Sequence, residues 1–388
     1  MSFPDGRAVR TAWIGWAALC LVTAAIIASG SGRTVVPAYR EGALFWMAGQ
    51  TIFAHPGVGG FVYLPQAAVL FIPFALLPVV AGEVLWRFVN IGVFALSIFH
   101  FAGLARGRSG KDLFPLMTLV SLPLAWDCAR NGQATLIMTG LMLLAVVDIA
   151  RSRWWRAVLW LALGVAVKPL VIVLALLVMA IDRPLSWRVP VGMLAGALFP
   201  FLTQHPAYVL DQYAAFWSSL TKAVHVGAVD KGWTTPFNAL QVLEVAVPEK
   251  VQTLLRVAAA FGTLALCYLS RRRHDVVRSA VFVFSLAVVY LMLFSPRTEN
   301  NTYAMLGPAI AVFLAWAFLV EQRPREGILL GSIALAIMGG RVIERVLTPH
   351  AGTSWVSPLM AVCFAVYLLV TFFVDRKDRA GAGLPAAT

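Results

Sequence analysis

Charged residues are scarce in this chain of 388 residues: Asp, Glu, Lys and Arg together make up 13% of it, whereas hydrophobic residues make up 60%. The mean hydropathy is +0.81. A soluble globular domain carries about 25% charged residues, so this composition excludes one. Because the apolar runs recur from end to end, the sequence predicts one integral membrane domain over residues 1–388.

Cysteine and histidine are also few. The four cysteines are scattered without CxxC spacing, and the six histidines form no HxxxH or HExxH pair. A redox motif, a zinc motif and a histidine-rich metal site are therefore not expected. The chain also lacks a glycine-rich strand–turn–helix motif, which argues against a domain that binds nucleotide sugars. We predict neither a metal nor a cofactor.

What charge there is has a strong positive bias, with a formal net charge of +13. Short basic segments separate the apolar runs, so they indicate loops on the cytoplasmic side rather than a nucleic-acid surface. Together with Arg7 and Arg10, these segments hold more than half of the 31 Lys and Arg. The segments are 106–111, 151–156, 182–188, 270–275, 321–326 and 375–379.

The apolar runs predict an all-α polytopic protein with about twelve membrane spans and both termini in the cytoplasm. The run 61–78 is excluded from the count because it holds three prolines and because counting it would place the basic loop 106–111 outside. It is predicted to be interfacial or re-entrant, within a first periplasmic loop of residues 30–81. Residues 205–250 form a second large outer segment, and 380–388 a disordered tail. The predicted spans are 12–29, 82–104, 113–129, 134–150, 156–168, 170–182, 187–204, 251–270, 276–294, 303–320, 327–345 and 355–374.

Polar side chains gather at the outer ends of these spans, which indicates a polar cavity open to the outside. Lys168 is the only charge in an otherwise apolar stretch and is followed by a proline. A lysine in lipid costs roughly 2.5 kcal/mol or more, so we expect Lys168 at the bottom of that cavity. The other members are Glu41, Arg40, Glu83, Trp86, Arg87, Asn90, Asp127, Arg130, Asn131, Gln133, Arg297, Glu299, Asn300 and Asn301.

The order of several motifs resembles glycosyltransferase family 87, whose members transfer sugars from polyprenyl phosphates and include bacterial lipid mannosyltransferases. Residues 131–169 match the family's N-G-Q, helix, basic loop, helix, Lys-Pro segment. Residues 61–90 are similar to its Tyr-Pro-Pro and Leu-Trp…Asn pattern, although "YLP" stands for "YPP" here. The "SPRTENNTY" stretch at 295–303 lies where the family has a Ser-Pro motif and an acid. The resemblance implies a GT-C-type bundle with interfacial helices in the first outer loop.

The resemblance also implies a catalytic base in the first outer loop, where the family has an aspartate before aromatic residues and a small pair. In "EGALFWMAG" that position is Glu41, one methylene longer, with Asp127 or Glu299 as the next candidates. The phosphate of the donor would be bound by Lys168, Arg130 and Arg297. The sugar and acceptor would contact Arg40, Tyr63, Arg87, Asn90, Asn131, Gln133, Glu299 and Asn300.

The predicted reaction is a single displacement with inversion, from a polyprenyl-phosphate sugar to a lipid or glycan acceptor at the outer face of the plasma membrane. Mannose-like hexoses or pentoses fit the resemblance. Another polyprenyl-linked-glycan transferase or ligase is the nearer alternative, although it typically has a larger outer loop. A flippase or transporter of lipid-linked sugars is the other alternative, although the charges gather at one face and no two-fold repeat is visible.

Overall fold

We describe a computed structural model covering residues 6–30, 33–55, 60–107, 110–225, 233–296, 298–348, 350 and 354–381, without the side chains of 220–225 and 375–381. These residues form sixteen α-helices, and none of them forms a β-strand. The helices are α1 Gly6–Ala28, α2 Val36–Met47, α3 Pro65–Ala75, α4 Val79–Ala105, α5 Phe114–Asn131, α6 Thr135–Ala150, α7 Trp154–Val167, α8 Ile172–Ile181, α9 Arg188–Leu198, α10 Pro206–His225, α11 Pro236–Leu240, α12 Glu249–Arg273, α13 Val276–Phe294, α14 Leu306–Ala315, α15 Pro324–Leu347 and α16 Val356–Gly381. The tail 382–388 lies outside the described residues.

Proline and capping residues set several helix boundaries. A proline stands in the first turn of α2, α3 and α15, where its missing N–H and fixed φ cost nothing. The Asp275 side chain accepts the backbone N–H groups of Val277 and Arg278 at the start of α13, as an N-cap does. Helix α7 ends at Val167, and the backbone of the next residue, Lys168, is extended because the following Pro169 disfavours the helical conformation there.

Among the residues that the structure describes, eight helices are long and apolar enough to cross a membrane, so the chain is a multi-pass membrane protein, as the composition predicts. The spans predicted at 113–129, 134–150, 156–168 and 170–182 are helical but fall short in length or apolar character. The count of twelve therefore stays a prediction. Helix α3, in the proline-rich 61–78 run, has 11 residues with Pro73 inside it. At 1.5 Å per residue it is about 17 Å long, too short to cross the hydrocarbon core.

The chain groups into two compact units. The first holds residues 1–101 and 125–227, and the second holds 102–124 and 228–388. In the first unit α2 packs on α3, α3 on α7, and α7 on both α6 and α9. One of its buried clusters joins Val36, Tyr39 and Ala43 of α2 to residues of α3 and α4. The expectation of a single domain stays a prediction.

In the second unit α13 packs against α12, α14 and α16, while α15 packs on α14 and α16. In the apolar stretches of α13 and of residues 300–320, 78% and 83% of the residues are buried. In the apolar stretch of α12 only 11% are buried. Apolar residues on that exposed α12 face suit lipid rather than water. The Glu344 carboxylate of α15 accepts hydrogen bonds from the Ser354 hydroxyl and from the backbone N–H groups of Trp355 and Val356. It thereby caps the start of α16.

Candidate functional site

The turn of residues 130–133, which joins α5 to α6 and contains the N-G-Q motif, has all four of its backbone carbonyls occupied by donors from elsewhere in the first unit. Three of those donors are side chains of α4. Arg87 donates to the Arg130 carbonyl, Trp86 to the Gly132 carbonyl at 2.7 Å, and Asn90 to the Gln133 carbonyl. The fourth bond runs from the Val35 backbone N–H to the Asn131 carbonyl at 3.0 Å. Helix α4 therefore sets the path of the turn.

Gly132 is required at this turn for two separate reasons. Its φ is +68°, a left-handed backbone conformation that L-residues with a side chain adopt only at a cost. An added Cβ would also lie 2.5 Å from a methyl group of Val36 and 3.1 Å from the Arg87 guanidinium. The glycine of the motif thus permits both the turn and its close packing against α2 and α4.

Arg87 and Asn90, both predicted to bind substrate, are completely buried. The Arg87 guanidinium pairs with Glu83 at 3.0 Å and also donates to Thr34 Oγ1. The Asn90 side chain donates to the turn and accepts the backbone N–H of Ile137. Their polar atoms are therefore engaged with the protein. A buried ion pair of this kind is costly to break, at about 3–5 kcal/mol when one partner is removed.

Lys168 lies where α7 breaks, and its ammonium donates to the Thr135 hydroxyl at the first residue of α6, at 3.0 Å. No carboxylate lies within 4.0 Å of it in the part of the chain that the structure describes. The ammonium is therefore held by a neutral hydroxyl. This leaves its positive charge uncompensated at close range.

Aromatic residues line a small cavity of about 30 Å³ beside this lysine. Its walls come from α2, the 61–63 segment, α3, α4, the start of α6 and the end of α7, and Val167 and Ala134 bring it to the backbone next to Lys168 and to the turn. The hydroxyls of Tyr39 and Tyr63 are 3.1 Å apart, and Tyr39 also accepts the Ala134 N–H. The lining residues are Tyr39, Phe61, Tyr63, Ala67, Leu70, Phe71, Trp86, Ala134 and Val167.

Glu41 lies on α2 two residues after Tyr39, and its carboxylate pairs with an imidazole that the sequence pattern had not identified. Oε1 of Glu41 lies 3.1 Å from Nδ1 of His55, and the glutamate side chain is 37% exposed. The ring of Phe45, one helical turn further along α2, stacks on that of His55. Glu41 is thus open to a substrate and oriented from one side.

Helix α10 and the stretch before it close the other side of this region. The Thr203 hydroxyl accepts the indole N–H of Trp46, and the Gln204 side chain donates to the Trp46 carbonyl. The Tyr208 hydroxyl donates to the Gln50 carbonyl at 2.7 Å. Burial raises the pKa of Tyr208 to about 12, so this hydroxyl keeps its proton at neutral pH and remains a donor.

Other predicted site residues of the first unit have partners within the protein. Arg130 lies 3.7 Å from Asp127, one turn earlier on α5. The Arg40 guanidinium donates to the Leu77 carbonyl at 2.8 Å. In contrast, the Asn131 side-chain oxygen is buried without a hydrogen-bond partner among the described residues, so a ligand or water could occupy it.

The remaining predicted residues belong to the second unit. Arg297 lies outside the described residues. Glu299 caps the short helical turn 300–305 in a reciprocal arrangement with Thr302. Asn300 accepts a hydrogen bond from Ser357 of α16 at 2.9 Å. A substrate role for any of these residues stays a prediction, as does that of Tyr63, Asn131 and Gln133 in the first unit.

No group of three or more His, Cys, Asp or Glu side chains suited to a metal ion occurs among the described residues. A comparison with curated proteins finds no match. A comparison with protein families matches residues 61–296 to glycosyltransferase family 87. This stretch includes the N-G-Q turn, Lys168 and the aromatic segment at 61–63. Because it covers more than half of the chain, the protein belongs to glycosyltransferase family 87 and is a membrane glycosyltransferase.

Proposed function

We propose that this protein transfers a sugar from a polyprenyl-phosphate donor to a hydroxyl of a lipid or glycan acceptor at the outer face of the plasma membrane. One observation carries the proposal: the Lys168 ammonium is held by a hydroxyl and not by a carboxylate of the described residues, and the residue before it, Val167, lines an aromatic cavity. A phosphodiester in this place would supply the missing negative charge where water is scarce, and there the two charges attract strongly.

The chemistry follows as a single displacement. The acceptor oxygen attacks the anomeric carbon as the bond from that carbon to the phosphate oxygen breaks, and the acceptor proton passes to the Glu41 carboxylate. Polyprenyl phosphate leaves with its negative charge, which Lys168 and Arg130 stabilise. Attack opposite to the leaving group inverts the anomeric centre. Arg297 stays a predicted third cation.

His55 supports the assignment of Glu41 as the base. A carboxylate that collects a proton must be held in one orientation, and the imidazole 3.1 Å away fixes one of its two oxygens. The second oxygen then remains for the acceptor hydroxyl.

The decisive experiment uses purified protein in nanodiscs with radiolabelled polyprenyl-phosphate hexoses and pentoses and a membrane lipid extract. The expected result is a radiolabelled product of opposite anomeric configuration, formed together with free polyprenyl phosphate. Transfer of an oligosaccharide from a polyprenyl diphosphate alone would favour the transferase or ligase alternative. In sealed proteoliposomes, movement of donor across the bilayer without any product would favour the transporter alternative.

A further inference from the structure

A second cavity lies at the end of α6 and α7 opposite to Lys168, and the proposed reaction does not use it. It has a volume of about 320 Å³, so it is far larger than the aromatic cavity. Its walls come from α4, α6, the 151–153 connection and the start of α7. We propose that this cavity binds a phospholipid whose headgroup carries a net negative charge.

The polar rim of the cavity is positive. Arg151, Arg153 and Arg156 contribute three positive charges, while Asp148 contributes one negative charge. Asp148 is 3% exposed and is engaged by Arg156 at 3.2 Å, by Arg153 at 3.8 Å and by the Trp160 indole N–H at 2.8 Å. The aspartate is thus fully used in fixing two of the arginines. Two positive charges remain in excess.

Arg151 contributes a positive charge that no neighbouring carboxylate of the described residues neutralises. Its side chain is exposed at the rim, and no carboxylate lies within 4.0 Å of it in the part of the chain that the structure describes. The side chains of Arg153 and Arg156 are themselves 49% and 57% exposed. The three guanidinium groups are therefore accessible to a ligand. Such groups bind phosphate oxygens through paired hydrogen bonds.

The inner wall of the cavity is apolar. Val93 and Leu96 come from α4, and Leu141, Leu144 and Val147 come from α6. Leu96 is 49% exposed, so the apolar wall continues onto the surface of α4. A cavity with a cationic rim and an apolar wall matches a molecule with an anionic head and a hydrocarbon chain. A free anion such as inorganic phosphate would use only the rim.

Two tryptophans near the rim indicate its depth in the membrane. Trp155 and Trp187 are each 52% exposed and pack edge to face at 5.4 Å, with the Arg188 guanidinium 4.4 Å from the Trp187 ring centre. Exposed tryptophans beside arginine are typical of the membrane–water interface. The rim therefore lies at headgroup level. Basic pockets between helices on the cytoplasmic side bind anionic headgroups, and the basic loops predict that this end faces the cytoplasm.

Native mass spectrometry of the full chain tests the proposal, with phosphatidylglycerol and phosphatidylcholine of identical acyl chains as probes. The wild-type protein should retain phosphatidylglycerol in preference. The double variant Arg151→Gln/Arg156→Gln should bind it roughly tenfold or more weakly, since it removes two of the three positive charges at the rim. The matched control Arg183→Gln/Arg325→Gln removes two exposed arginines from other basic loops and should bind as the wild type does.

A third variant separates the cavity from general surface charge. Leu144→Trp places a larger side chain in the cavity from its apolar wall and leaves all three arginines in place. It should also weaken phosphatidylglycerol binding. The proposal is overturned if the two lipids bind equally or if the control double variant weakens binding as much as the rim variant. Displacement of bound phosphatidylglycerol by equimolar polyprenyl phosphate would likewise overturn it and identify the reaction product as the occupant. The activity assay is independent of each of these readouts, so failure here leaves the proposed transfer reaction intact.

Discussion

The carboxylate of Glu41 lies 3.1 Å from the imidazole of His55, across a loop that separates them by fourteen positions. The pair joins α2 to the stretch that leads to the aromatic cavity. If Glu41 is the base, then His55 is its positioning residue. The two roles predict different kinetic consequences.

Glu41→Gln should lower kcat roughly 100-fold or more with little change in KM, because the amide keeps its size but takes no proton. Steady-state transfer assays check this. Glu41→Asp should retain part of the activity, since a carboxylate one methylene shorter still takes a proton. The exposed acid Glu249 of α12 provides a control, and Glu249→Gln should leave kcat unchanged. Near-normal turnover of Glu41→Gln would move the base to Asp127 or Glu299.

His55→Ala should also lower kcat, but less than Glu41→Gln, because the carboxylate remains and loses only its fixed orientation. In the double variant Glu41→Gln/His55→Ala the loss should equal that of Glu41→Gln alone, since the two residues act as one unit. A double-variant cycle in the transfer assay checks this. Losses that simply multiply would show that His55 acts apart from Glu41.

Lys168→Met should weaken donor binding roughly tenfold or more, because a hydrogen bond to a charged group contributes about 1.5–3 kcal/mol. Equilibrium binding of a polyprenyl-phosphate sugar measures it, and Lys168→Arg should keep part of the affinity. Thr135→Val removes the hydroxyl partner and leaves the charge, so its effect should be smaller. Unchanged donor affinity in Lys168→Met, with a lower unfolding temperature, would make Lys168 a structural residue.

Gly132→Ala should destabilise the protein more than Gly49→Ala. The φ angles of Gly132 and Gly49 are nearly equal, at +68° and +67°. Of the two, only Gly132 has other atoms within 4 Å of the place where a Cβ would lie. Gly49→Ala therefore costs about 1 kcal/mol for the backbone conformation alone. Apparent unfolding temperatures in detergent compare the two. Equal shifts would mean that the turn yields to the added methyl group and that its packing is not a constraint.

Arg87→Met should lower stability by about 3–5 kcal/mol, because it leaves Glu83 buried and unpaired. Adding Glu83→Gln to Arg87→Met should recover part of that loss. Thermal unfolding of the two single variants and the double variant measures the coupling. Arg87→Met protein that unfolds like the wild type but has lost donor or acceptor affinity would instead make Arg87 a substrate-binding residue.

The topology is tested by cysteine labelling of intact cells, in a background with the four native cysteines replaced. Single cysteines at Gly59 and Ala351 should react with an impermeant reagent, whereas those at Gly107 and Ala380 should be protected. This follows from the alternation of basic loops and from leaving 61–78 out of the spans. Labelling of Gly107 from outside would restore 61–78 as a crossing segment and invert the later loops.

Hydropathy identified the helices of this protein well, because the cost of exposing backbone polar groups in lipid forces long apolar runs to be helical. Each of the twelve predicted spans lies in a helical region, yet eight helices of the described residues satisfy length and composition together. The difference lies in α6, in the short pieces on either side of Lys168 and in α5, which ends in Asp127, Arg130 and Asn131. When proline interrupts an apolar run, or charged residues end it, the sequence does not show how deeply that helix lies in the membrane.

The site was harder to predict. A polar residue within an apolar run indicates a structural or functional role. The sequence does not show whether its side chain contacts a substrate or another part of the chain. Arg87 and Asn90, like Lys168, are polar residues within an apolar run. Their side chains, however, donate hydrogen bonds to the backbone of the turn at residues 130–133. His55 gave no signal, because a lone histidine in a loop is unremarkable until folding brings it to Glu41.

The bonds from three side chains of α4 and from the Val35 backbone N–H to the four carbonyls of residues 130–133 have a consequence for substitution. They fix the backbone of the turn through atoms that every amino acid shares, so the frame does not depend on which side chains stand at Asn131 and Gln133. Substitution of either side chain should therefore change the groups that the turn presents without moving its backbone.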